Sequence, residues 1–162
     1  MTGRGGKASR DKGNAGEREM VNLLREHFRD LAPELDVKRM LSQARDSGPD
    51  IEMNWPDGSQ WFVEVKRWHH HPSRRQIDKW YATIVRWLTE TFEGERADAF
   101  VMVAYRVDKA TWRVVYTHPD GIIVDADFLD WVKLIRLGIR AHRRQQASAA
   151  RQTQLEVDGD ET

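Results

Sequence analysis

Pro49-Asp50-Ile51-Glu52-Met53-Asn54-Trp55-Pro56-Asp57-Gly58-Ser59-Gln60-Trp61-Phe62-Val63-Glu64-Val65-Lys66 reads as two alternating segments joined by a turn. In an extended chain, successive side chains point to opposite faces. Before the turn, Asp50, Glu52 and Asn54 share one face, while Ile51, Met53 and Trp55 share the other. After it, Phe62, Glu64 and Lys66 oppose Trp61, Val63, Val65 and Arg67. Pro56-Asp57-Gly58 carries the chemistry of a three-residue hairpin loop. Proline presets the first central position, and glycine accepts the left-handed one. Closing that loop pairs Trp55 with Ser59, which sets Ile51 opposite Val63, Met53 opposite Trp61 and Asp50 opposite Glu64. Turn chemistry and face pattern predict the same register.

Carboxylates directly across a strand pair have Cβ atoms roughly 5 Å apart, and their repulsion disfavours the pairing in a purely structural sheet. A divalent cation removes that penalty. Oxygen ligands, with no His or Cys demanded by the spacing, suit Mg²⁺ or Mn²⁺ rather than Zn²⁺. Taken alone, an Asp followed by Glu-x-Lys also describes a solvent-facing polar strand with one ion pair. Three features favour a site. The opposite face of the hairpin is apolar, so these strands belong to a core sheet. Phe62 shares the charged face, which requires a cover over it. Glu17 precedes Met20 and Val21 by three and four residues, at the edge of a helical apolar stripe, from where it can reach that face.

Outward from the hairpin, Asn14 is a plausible N-cap for a helix to about Asp30, with Met20, Val21, Leu24, Phe28 and Leu31 at helical spacing. Residues 36–44 read as a weaker strand. Ser73 behind Pro72 starts a second helix to about Phe92, with Ile77, Trp80, Tyr81, Ile84, Leu88 and Phe92 inward. Ala99 to Tyr105 is an unbroken apolar run, as in a strand covered on both faces. Trp112 to Thr117 is a further strand. Asp127 to about Arg144 is a last helix, with Phe128, Trp131, Val132, Ile135 and Ile139 inward. This order, αβββαββα, predicts an α/β fold with a mixed sheet flanked by helices. The expected organisation is a flexible basic arm over 1–13, one domain over 14–146 and a disordered tail over 147–162.

The 162 residues carry 26 basic and 26 acidic side chains, so net charge alone does not mark a nucleic-acid binder. Distribution is more informative: charges from Lys133 to Arg151 are all basic, and those beyond are all acidic. No apolar run is long enough to span a membrane. Residues 1–12 lack a hydrophobic stretch, so no secretory signal is expected. The absence of cysteine excludes disulfides and thiolate metal sites and fits a cytoplasmic protein. Seven tryptophans invite a base-stacking reading, but Trp61, Trp80 and Trp131 fall on core faces. His69, His70 and His71 are adjacent and cannot all face one ion from an extended strand; a solvated turn is the expectation.

Lys12-Gly13, Glu17-Arg18-Glu19, Ser47-Gly48-Pro49-Asp50-Ile51 and Val63-Glu64-Val65-Lys66, in this order, resemble the PD-(D/E)XK nucleases. Within that superfamily the sequence is most similar to the archaeal-type Holliday junction resolvases and their phage-borne relatives, over about residues 12–90. The resemblance implies a restriction-endonuclease-like fold and a metal-dependent endonuclease acting on branched DNA as a homodimer. Asp50 and Glu64 would be metal ligands, helped by the backbone carbonyl of Val65. Glu17 would complete the acidic cluster, directly or through a metal-bound water. Lys66 would orient or help deprotonate the attacking water and stabilise charge on the phosphate. Lys12, Arg18, Arg39, Gln43 and Arg45 fall where the family tends to face the DNA backbone, with Arg67 and Gln76 as further expected DNA contacts. The basic C-terminal helix has no counterpart in this pattern. Two other readings share these residues: a restriction-like, repair or RNA-processing nuclease on the same scaffold, and an inactive fold that only binds nucleic acid.

Overall fold

A computed structural model describes the backbone over residues 4–41, 48–92, 99–118 and 120–159. The elements are α1 (Arg4–Phe28), β1 (Asp36–Arg39), β2 (Ile51–Asn54), β3 (Gln60–Trp68), α2 (Arg74–Phe92), β4 (Phe100–Val107), β5 (Arg113–Thr117), β6 (Ile123–Asp127) and α3 (Phe128–Gly159). The strands form one six-stranded sheet in sequence order. Among the described residues only β3 and β4 pair in parallel; the other neighbours are antiparallel, so the sheet is mixed. Parallel neighbours need a long crossover, and α2 lies within it. The chain divides into two units, residues 1–128 with the sheet, α1 and α2, and residues 129–162 with α3. Among the described residues no helix is long and apolar enough to cross a membrane.

The hairpin forms in the predicted register, with Ile51 opposite Val63 and Met53 opposite Trp61. The Trp55 N–H donates to the Ser59 carbonyl at 2.9 Å, and Gly58 takes φ 87°, where a side chain would be strained. The Asp57 carboxylate accepts both the Ser59 N–H and its hydroxyl, which locks the bend. Each face of the sheet has its own cover. On one side α1 brings Met20, Leu24 and Phe28 to Val37, Ile51, Met53 and Val63, all essentially fully buried. Each such side chain contributes about 1.5–3 kcal/mol relative to exposure. On the other, Ile77, Trp80, Tyr81 and Ile84 of α2 pack on Phe62, Val101, Val103 and Tyr105, with Leu88 and Phe92 beside them. This is the cover that Phe62 demanded. The Ser73 hydroxyl accepts the Gln76 N–H at 3.2 Å and caps α2 as expected.

Several expectations are corrected. Asn14 does not cap α1, which is already helical at Arg4. Ala8, Arg10 and Lys12 favour helix, and once the Met20–Phe28 segment is docked each added residue gains a hydrogen bond without a new nucleus. Likewise α3 continues to Gly159 through residues read as a tail, because the Ala-, Gln- and Arg-rich stretch after Ala141 has high helix propensity despite little to bury. The order is αβββαβββα: strand β6 was not anticipated. Asp125 and Asp127 interrupt its apolar pattern, and Asp is depleted in strands. Here the Asp125 carboxylate accepts from Arg113 on β5 and from the Tyr105 hydroxyl on β4, so its charge is satisfied at the sheet edge. Trp80 and Trp131 are buried, whereas Trp61 is half-buried and packs between Trp55 and Phe100.

Candidate active site

Asp50 stands one residue before β2, where the ladder with β3 is ending. Its N–H donates to the Val63 carbonyl at 3.0 Å, and its Oδ2 accepts the Val65 N–H at 2.7 Å. The side chain thus serves as acceptor for a backbone N–H of β3 where the partner strand no longer supplies a carbonyl, beside Glu64. Lys66, two residues along the same face, forms an ion pair with Glu64 Oε1. Phe62, Glu64 and Lys66 pair across to Val101, Val103 and Tyr105, so the two charges continue a face that is otherwise apolar and covered by α2.

Burial sets the electrostatics. Asp50 is pushed up from 3.8 to about 7, first because burial strips water from its carboxylate, then because Glu64 repels it. The Val65 hydrogen bond and Lys66 oppose the rise, and Glu17 adds to it. Glu64 is also raised, again chiefly by burial, with Lys66 opposing and Glu17 adding. Three carboxylates therefore sense one another, two of them poorly hydrated. Without a cation this is an unfavourable arrangement.

Glu17 belongs to α1, on the far side of the hairpin from Glu64, and approaches at the open end of β2. Arg39 of β1 binds it there: Arg39 Nε donates to Glu17 Oε2 at 2.9 Å and a second guanidinium nitrogen reaches the same oxygen. That nitrogen also donates to Asn14 Oδ1 at 2.7 Å. Asn14, Glu17, Arg39 and Asp50 line a cleft of about 90 Å³ together with Met40, Leu41, Gly48 and Pro49. A larger depression, about 500 Å³, lies by Arg25, Arg29 and Pro33 but gathers no comparable set of carboxylates.

Asp50 Oδ1, Glu64 Oε2 and Glu17 Oε1 have no hydrogen-bond partner among the described residues. They are all oxygen, as a small hard cation prefers. Among the described residues no three His, Asp or Glu side chains stand at direct ligating spacing. Asp50 and Glu64 could each offer an oxygen to such a cation, and Glu17 is close enough to raise both of them.

The expected DNA contacts are scattered. Lys12 is bound to Asp108 at 2.7 Å, and His69 reaches the same carboxylate at 3.0 Å. Arg67 lies nearby, its guanidinium 3.9 Å from Asp108. Arg18 is exposed and Gln76 half-buried. Gln43 and Arg45 lie outside the described residues. Arg39 is turned onto Glu17 and Asn14, its side chain only 20% exposed. The chain also holds a polar clamp that sequence reading missed. Glu19 accepts two hydrogen bonds from Arg106 and one from the Trp112 indole at 3.0 Å, while Arg106 stacks 4.9 Å over the Trp112 ring. Gly16 lets α1 approach this wall: a Cβ there would stand 2.8 Å from Cγ and Cδ of Arg67. Asn14 carried a usable signal, since it lies three residues before Glu17 on the same helical face.

No family model matches the chain, and no curated protein does. Among solved structures, it is similar to that of Archaeoglobus fulgidus Hjc, a Holliday junction resolvase from an archaeal hyperthermophile, at 16% sequence identity and a TM-score of 0.43, over 67% of this chain and 83% of that one.

Proposed function

We propose that this chain is a metal-dependent nuclease that hydrolyses DNA phosphodiester bonds, with branched, four-way junction DNA as its substrate and a homodimer as its working unit. One observation carries the hydrolytic part: Asp50 and Glu64 stand beside Lys66 on a covered sheet face, both raised above their ordinary values chiefly by burial, with Glu64 adding to the rise of Asp50 and Glu17 to that of both. A purely structural sheet has no use for that arrangement, whereas a cation relieves it. Mg²⁺, or Mn²⁺ in its place, supplies a lowered pKa for water and charge relief at a phosphoryl oxygen when bound. Asp50 and Glu64 would hold the ion, with the Val65 carbonyl as a further ligand. The Val65 N–H keeps the Asp50 carboxylate in place, so that little reorganisation accompanies the reaction. The Lys66 ammonium, kept in position by Glu64, neutralises charge building on the phosphate and orients the attacking water. Glu17 would contribute through its second carboxylate oxygen, as an acceptor for a water of such an ion. Lys12, Arg18, Arg67 and Gln76 are the further side chains through which DNA contact is expected, together with Gln43 and Arg45 on the strength of the resemblance alone. The junction preference rests on the order of the Lys-Gly, Glu-Arg-Glu, Asp and Glu-x-Lys segments, and the homodimer on the need to cut two strands symmetrically.

A panel of four-way junction, flap, linear duplex and single-stranded DNA, with duplex RNA, tests this in Mg²⁺. Wild type should cut the junction fastest. Glu64→Gln and Lys66→Ala should lose at least about a hundredfold in rate with unchanged circular dichroism and unchanged junction binding in Ca²⁺. Full activity in Glu64→Gln would remove the mechanism. Equal rates on every substrate would remove the junction preference alone.

A further inference from the structure

We infer that Arg39 is a positioning residue that keeps Glu17 one water away from the metal, dividing the acidic cluster into a metal-holding pair and a water-holding carboxylate. This rests on the nuclease reading of the same site. Asn14 and Glu17 are three residues apart on α1 and so face the same way. Arg39 pairs with Ile51 across the β1–β2 ladder, which sets it on the α1 side of the sheet, beside both. Its guanidinium spends Nε and one terminal nitrogen on Glu17 Oε2, and that terminal nitrogen also donates to Asn14 Oδ1. A planar, permanently charged fork suits such a grip far better than a lysine would. Both side chains are only about one-fifth exposed (20% and 19%), so solvent screens the pair weakly. Glu17 is near enough to repel Asp50 and Glu64, and Arg39 draws one of its oxygens toward β1 and Asn14. The other oxygen has no hydrogen-bond partner among the described residues.

The test is a double-mutant cycle on Mn²⁺ affinity, read by calorimetry without DNA. In the wild-type background, Glu17→Gln should change the affinity by no more than about twofold. Arg39→Ala should tighten it about five- to tenfold, as the released Glu17 joins Asp50 and Glu64. Adding Glu17→Gln to Arg39→Ala should then remove that gain. An equal cost of Glu17→Gln in both backgrounds overturns the inference, because loss of the Arg39 charge alone would act without Glu17. Asn14→Ala, which leaves every charge in place, should show the same coupling at smaller size; it decides the matter if Arg39→Ala does not fold. Junction affinity in Ca²⁺ and its salt dependence should stay at wild-type values in Arg39→Ala. A salt slope reduced by about one phosphate's worth would make Arg39 a DNA contact and overturn its positioning role. Wild type that binds no Mn²⁺ sinks this inference and the nuclease reading together. Mn²⁺ binding with an additive cycle sinks only the role of Arg39.

Discussion

Replacing Asp50 by Asn should stabilise the fold while disabling the site. The unfolded carboxyl releases its proton near 3.8 and the folded one near 7, so the folded state binds that proton more tightly. At about 1.4 kcal/mol for each factor of ten in proton affinity, the full difference is roughly 4 kcal/mol. Its sign follows from linkage: the stabilising contribution is complete below about pH 4 and is lost as the pH rises through 7. Asn carries no proton to lose, and its Oδ1 can still accept the Val65 N–H that Asp50 accepts now. Between pH 5 and pH 8 the stability of Asp50→Asn relative to wild type should therefore rise by about 2–3 kcal/mol. With a urea dependence of about 2 kcal/mol per molar, the midpoints should move apart by about 1 M in metal-free buffer. Saturating Mg²⁺, at about a hundred times its dissociation constant, should return about 2.7 kcal/mol to wild type and nothing to the variant. A gap that fails to widen with pH, or a variant less stable than wild type near pH 8, would refute the account of Asp50 as a destabilised carboxylate awaiting a cation.

Two further substitutions probe how α1 is fixed above the sheet. Gly16→Val should cost about 1–3 kcal/mol and lower the melting temperature by several degrees, since any Cβ meets the Arg67 stem at 2.8 Å; an unchanged melting temperature would mean that the helix does not sit so close. Glu19→Ala should cost about 1.5–3 kcal/mol in urea unfolding, because it strips Arg106 and the Trp112 indole of their shared acceptor. A neutral result there would reduce that clamp to a surface contact.

Sequence reading succeeded where the determinants are local. The Pro56-Asp57-Gly58 bend specifies the register of its own flanks, so the Ile51–Val63 and Met53–Trp61 pairings were legible before any coordinates. Ser73 and the spacing of Ile77, Trp80, Tyr81 and Ile84 likewise announced α2. Glu17 was legible as a residue on the rim of an apolar helical stripe. What stayed hidden depends on distant pairing. Arg39 looks like an exposed basic residue until β1 is laid against β2, which turns it towards α1. The Glu19–Arg106, Glu19–Trp112 and Lys12–Asp108 bonds span 87, 93 and 96 residues and leave no periodic trace. Strand β6 was masked for a related reason, since its aspartates are explained only by Arg113 and Tyr105 on neighbouring strands.

The sequential strand order leaves β1 and β6 as the margins of the sheet among the described residues. An open margin is a template on which another chain can hydrogen-bond, and native proteins guard it with brevity and charge. β1 is four residues long and carries Asp36, Lys38 and Arg39; Lys38 makes ion pairs with Asp36 and Glu52. β6 is five residues long, with Asp125 and Asp127 along it. Both margins therefore resist lateral growth into fibres, and self-association by extending the sheet is disfavoured at either side.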